Sequence, residues 1–263
     1  CPGDMPRARV VGGAAGGPPP TCDSPPPPFM QGGDGSADPL GAAAGEARAG
    51  RLTAAMLPTT ATGLGVWAPG DFVLANDRVA LLIEDAGPSD LYDRFGGRPV
   101  GVALVEGGAL VRAGDFNEVL IGLATFLPRT DRVSVLSDGS GGGPAIVRTT
   151  GPLAPIDFAG TLLDALTSAG DVFEGWNVAM DYSLAPDAEM VEITLRVLSP
   201  DGRMRNASNL LLGFFQHYRM PTYAPGGGGF DDRSGALPYL AFDDHYGGAG
   251  WGWLAPEGRT LQS

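Results

Sequence analysis

Between residues 72 and 84 the apolar positions fall into two short runs. Phe72-Val73-Leu74-Ala75 is followed by Asn76-Asp77, and then by Arg78 to Glu84. This layout predicts a β-hairpin, because Asn and Asp tolerate the positive φ angles that tight hairpin turns need. Val79, Leu81 and Ile83 fall on one face of the second strand, and Ala80 and Leu82 on the other. That strand is therefore expected to be covered on both sides.

The strongest alternation comes later. Trp176, Val178, Met180, Tyr182 and Leu184 alternate with Asn177, Ala179, Asp181 and Ser183. Val191, Ile193, Leu195 and Val197 alternate with Glu192, Thr194 and Arg196. A period of two predicts paired strands with one buried and one wet face. Ala185 to Glu189 supplies the turn. Further strands are expected at Pro99–Val105, Ala109–Arg112, Val119–Phe126, Arg132–Leu136, Ala145–Thr149, Leu210–His217, Pro238–Phe242 and Trp251–Leu254. Only Phe158–Thr167 has a helical look. Many short strands with glycine-rich turns predict a mostly β fold, an antiparallel β-sandwich with one short helix.

Composition changes the picture at the N-terminus. The chain holds 42 Gly and 24 Pro, and they crowd the stretch from Gly12 to Gly45. Such a stretch cannot bury enough apolar surface to offset its ordering entropy. Pro25 to Pro28 favour an extended polyproline form. The expected organisation is a disordered tether over residues 1–45 and a β-sandwich domain over 46–263, with order starting near Glu46. The absence of an initiator Met at Cys1 is what a processed or excised product would show.

Charge narrows the partners. The net charge is −13, and all 17 basic residues are Arg, as the codon usage of a high-GC genome favours. Phosphate polymers need a cationic footprint, so nucleic acid is not an expected partner. Anionic lipid surfaces are disfavoured too. The two cysteines, Cys1 and Cys22, both lie in the tether. Three readings stay open: a disulfide between them, lipidation of Cys1 as in a bacterial lipoprotein, or two free thiols. A lipid at Cys1 is the one membrane attachment expected.

Pro69-Gly70-Asp71-Phe72-Val73-Leu74-Ala75-Asn76-Asp77-Arg78-Val79 resembles the opening of a β-rich region in myxobacterial secreted proteins and lipoproteins. Glu84 to Asp90, Met220 to Gly226 and Leu237 to Phe242 continue that pattern. The resemblance implies an extracytoplasmic location and a β fold, with no assigned activity. A looser likeness is to galactose-mutarotase-like supersandwich domains, on Met180-Asp181-Tyr182-Ser183-Leu184 and Val191-Glu192-Ile193-Thr194-Leu195. It implies a supersandwich-like fold. The full catalytic His and Glu set of that family is not placed on this chain, so its activity is not carried over.

The chemistry-bearing residues gather in the last third. His217, Tyr218, Arg219, Tyr223, His245, Trp251 and Trp253 combine aromatic rings with planar polar groups, as sugar-binding surfaces do. Asp231, Asp232, Asp243 and Asp244 form acidic turns that could hold Ca²⁺, which takes six to eight oxygen ligands. No other cofactor is expected. Asp138-Gly139-Ser140-Gly141-Gly142 departs from the Gly-x-Ser-x-Gly nucleophile elbow at its first position and reads as a hairpin loop. A P-loop is excluded because the chain has no Lys.

Three functions follow. The leading one is a non-catalytic extracytoplasmic domain that binds a glycan or an envelope protein, or positions a partner domain. The second is a carbohydrate-active enzyme of the mutarotase-like type, with His217 or His245 near Asp231, Asp243 or Glu192. The third is a calcium-stabilised adhesin-like domain.

Overall fold

The computed structural model describes residues 29–58, 67–89, 93–116, 118–123, 126–156, 173, 175–200, 210–215, 220–230, 234–243 and 248–262. All regular structure among them is strand, and every pairing is antiparallel. The helix expected at Phe158–Thr167 lies outside the described residues, as do Cys1 and Cys22.

A first sheet is a five-stranded meander: β1 (Ala47–Arg51), β2 (Phe72–Asn76), β3 (Val79–Ile83), β4 (Pro99–Glu106) and β5 (Ala109–Asp115). A second contains β6 (Glu118–Leu123), β7 (Phe126–Pro128), β8 (Arg132–Ser137), β9 (Ala145–Pro155), β10 (Asn177–Leu184), β11 (Val191–Leu198) and β12 (Leu210–Phe215). Its order is β11-β10-β9-β7-β6-β12, with β8 also paired to β9. The C-terminal part adds β13 (Thr222–Ala224), β14 (Gly227–Gly229), β15 (Ala236–Leu237), β16 (Tyr239–Phe242), β17 (Trp251–Leu254) and β18 (Leu261–Gln262). Four of these form a small sheet, β14-β13-β16-β17, and β15 pairs β18.

The first two sheets pack face to face. Phe72, Leu74, Leu81 and Ile83 from one meet Val133, Val147, Val178, Met180, Tyr182 and Leu184 from the other in one buried cluster. Alternation therefore delivers the core it predicts. The far face of the first sheet is buried as well: Val73, Ala75, Ala80 and Leu82 pack with Leu40, Leu52 and Trp67. Trp67 lies against Gly101, where a Cβ would come within 2.3 Å of the indole ring, and its N–H donates to the Val100 carbonyl.

Two expectations need correction. The β2–β3 turn does not use positive φ at Asn76 or Asp77; among the described non-glycine residues only Arg112 has it. Instead the Asn76 side-chain oxygen accepts the N–H groups of Arg78 and Val79. This is an Asx-type turn, built from a side chain rather than from a left-handed backbone.

The second correction concerns the start of order, expected near Glu46. Phe29 to Ser36 already form a strap across the outer face of the second sheet. Gly33 exchanges both backbone hydrogen bonds with Val135, and the Ser36 N–H donates to the Ala49 carbonyl. The Gln31 side-chain amide reaches Thr150 and Ser134. Beneath the strap, Arg148 holds Asp181 through two bonds of 2.6 and 2.8 Å, and its remaining nitrogen donates to the Met30 carbonyl. The face of β10 that alternation assigns to water is thus covered at Asp181, and Arg196 closes on the same carboxylate.

Removing one member of a buried ion pair leaves the other charge without compensation, which costs roughly 3–5 kcal/mol. Asp181→Ala is expected to lower the stability measured by urea unfolding by that order. A loss below about 1 kcal/mol, the scale of an exposed pair, would show that the pair is not sealed by the strap.

Candidate functional site

The small sheet has two unlike faces, and strand register sorts its side chains between them. Leu240 pairs with Trp253 and Phe242 with Trp251, while Tyr239 pairs with Leu254 and Ala241 with Gly252. Tyr223 stands opposite Ala241 on one side and Gly228 on the other. Directly paired residues share a face. Phe242, Trp251 and Trp253 therefore point one way, and Tyr223, Tyr239 and Leu254 the other.

The inner face is a packed aromatic layer. Trp251 stacks on Phe242 at 4.6 Å between ring centroids and meets Phe116 edge-on at 4.5 Å. Trp251 and Trp253 both lie against the main core. The segment leading into β17 is hung on Arg112, whose carbonyl accepts the Ala249 N–H and whose guanidinium donates to the Gly248 carbonyl. Arg112 sits at φ +48°, an unusual value for a residue with a side chain, where the β4–β5 register slips.

The outer face is open. Six large apolar side chains are exposed among the described residues, and three of them stand here: Tyr223 (42 %), Tyr239 (39 %) and Leu254 (60 %). Tyr223 lies down on the sheet, since a Cβ on Gly228 would come within 2.1 Å of its ring. One ring face thus covers a glycine and the other faces solvent. Between Tyr223 and Tyr239 the floor is Ala241 and Gly252, so the surface is flat and bare. Asp243 continues the ladder through its N–H to the Pro221 carbonyl and sits at the rim of the same face.

Of the residues singled out in the sequence, Tyr223 and Asp243 share this face. Trp251 and Trp253 are on the opposite side, in the core layer. His217, Tyr218, Arg219, His245, Asp231, Asp232 and Asp244 lie outside the described residues. Glu192 is on β11, in a different sheet from Asp243, so these two carboxylates do not form one site. Among the described residues no group of three His, Cys, Asp or Glu is placed to hold a metal ion. Tyr239 and Leu254 were missed. Their signal was the alternation within Tyr239–Phe242 and Trp251–Leu254, which separates the outer residues from the inner ones once the partner strand is known.

Two further polar places lie elsewhere. A cleft of about 340 Å³ opens between the strap and β8, lined by Asp34, Arg51, Asp85, Asp131 and Arg132. Arg51 is bonded there to Asp34 at 2.6 Å, Asp85 at 2.5 Å and the Gly70 carbonyl. Beside the core, Arg98 contacts Glu84 at 3.3 Å, and Ser89 bridges the two. Arg98 is only 3 % exposed, which makes this knot structural rather than a docking point.

No protein-family model, curated protein or solved structure matches this chain.

Burial raises the Glu84 carboxyl above its ordinary 4.5, and the Arg98 charge only partly opposes that. Glu84 then holds its proton more tightly folded than unfolded. The resulting stability is fully present below pH 4.5 and is lost as pH rises through the higher folded value. Glu84→Gln keeps an acceptor for Arg98 and cannot titrate. Its urea midpoint is expected to fall less than that of the parent as pH rises from 4.5; equal slopes would contradict the assignment.

Proposed function

We propose that the chain is a non-catalytic, extracytoplasmic β-domain that binds a neutral glycan on the outer face of its small sheet. The observation that carries this reading is the gathering of Tyr223, Tyr239 and Leu254 around the bare floor of Ala241 and Gly252. Contiguous apolar patches on soluble domains commonly mark interaction sites. A sugar ring has apolar C–H faces and polar edges, so it suits a tyrosine ring laid flat with its hydroxyl at the margin. The Asp243 carboxylate adds an acceptor for sugar hydroxyls. The net charge of −13 disfavours an anionic polymer, which selects neutral or cationic chains.

The Pro- and Gly-rich N-terminal stretch and Cys1 support presentation of this domain at a cell envelope, on a spacer held by lipid or closed by a disulfide. The resemblance to secreted and lipoprotein β-regions supports the same placement, and a supersandwich-like architecture is part of the proposal.

Affinity electrophoresis through gels containing β-glucan, xylan, mannan or soluble chitin derivatives tests the reading. At least one neutral polysaccharide is expected to retard the chain. Tyr223→Ala and Tyr239→Ala should each weaken that binding about fivefold to tenfold, near the 1 kcal/mol scale of a ring contact. Both rings are exposed, so the thermal midpoint should hardly move. Retardation by no polysaccharide, or retardation indifferent to the double variant, would reject the proposal.

A further inference from the structure

The strap meets β8 as a strand would, and then leaves it. Gly33 and Val135 exchange backbone hydrogen bonds in an antiparallel bridge, so the strap residue opposite Val133 would be Gly35. Gly35 instead adopts φ +81° and turns the strap toward β1, where Ser36 bonds Ala49. A side chain there would be strained, and a Cβ would also come within 2.3 Å of the Ala49 carbonyl oxygen. The turn is therefore written into the sequence.

This departure leaves Val133 with an unused edge. In β8 the backbone groups of alternate residues point to the same side. Val135 points to the strap, so Val133 points the same way, away from β9. Its N–H and C=O have no backbone partner among the described residues. The Val133 side chain is buried in the core, so what the residue turns to the cleft is its backbone edge. Val133 lines the cleft of about 340 Å³, together with Gly32, Gly33, Asp34, Asp85, Asp131 and Arg132. Three aspartates face two arginines there, and Arg51 is already bonded to two of those aspartates.

We propose that the open edge of β8 receives an extended basic peptide as an added strand, antiparallel or parallel to β8, with Val133 supplying its backbone hydrogen bonds. Strand addition takes its affinity from main-chain hydrogen bonds and its selectivity from the side chains beside them. Here the Asp131 carboxylate stands beside the edge, and it favours arginine or lysine in the incoming segment. The site is on a different sheet from the tyrosine face and does not rest on the glycan reading.

The test titrates the full chain against fluorescein-labelled Val-Arg-Val-Arg-Val and follows anisotropy. Two comparison peptides carry N-methyl groups at every second residue, in opposite phases. A saturable rise is expected, abolished by methylation in one phase and retained in the other, because only alternate N–H groups face β8. Asp131→Asn should weaken binding about threefold, the scale of one exposed charge contact. Val133→Pro removes the open N–H without touching the β9 ladder, and it should abolish binding; because the Val133 side chain also packs in the core, its thermal midpoint should fall, and binding is compared at a temperature where the variant is folded. If that variant does not fold, the two methylated peptides still decide. Absence of saturable binding, or equal binding in both phases, overturns the proposal. So does a dimer in sedimentation that Val133→Pro dissociates, which would give the edge to a second copy.

Discussion

Arg148 and Asp181 sit on the face of β9 and β10 that points away from the core, and both are buried. A bidentate pair on that face needs a roof, because water competes for it and an exposed pair is worth little. The strap from Phe29 to Ser36 is that roof. Its Met30 carbonyl takes the third donor of Arg148, and its Gln31 amide ties Thr150 to Ser134. Once the strap is placed there, Gly33 must fall on the β8 edge, Asp34 must fall beside Arg51, and the cleft beside them takes its shape.

The strands with strong alternation could be read directly from the chain. The β10–β11 hairpin pairs Leu184 with Val191 around the expected turn, and β2–β3 pairs Ala75 with Ala80. In these segments propensity, pattern and burial agree. The strand β1 was not legible. Ala47-Arg48-Ala49-Gly50-Arg51 is poor in β-branched and aromatic residues. Tertiary context selects it: Ala47 and Ala49 are fully buried between the sheets, where larger side chains would hold the sheets apart. The strap was hidden for the opposite reason. Its glycines look like a linker, but at Gly32 a Cβ would meet the Val135 carbonyl oxygen at 1.8 Å, so close approach requires glycine.

The aromatic content of the C-terminal third was visible as composition and not as geometry. Trp251 and Tyr223 come from the same short region, yet one completes the core and the other faces solvent. Which ring does which follows from the pairing of β16 with β17 and β13, a non-local fact. Single strands of three or four residues carry too few alternations to declare their buried face.

Tyr223 reclines on Gly228, and this gives the platform an unusual dependence. The ring is kept flat by what its neighbour lacks. Any side chain at Gly228 would lift the ring off the sheet, although that position offers nothing a ligand could touch. Evolution could therefore tune this surface by changing a residue with no chemistry of its own, and a screen confined to polar and aromatic positions would overlook the control point.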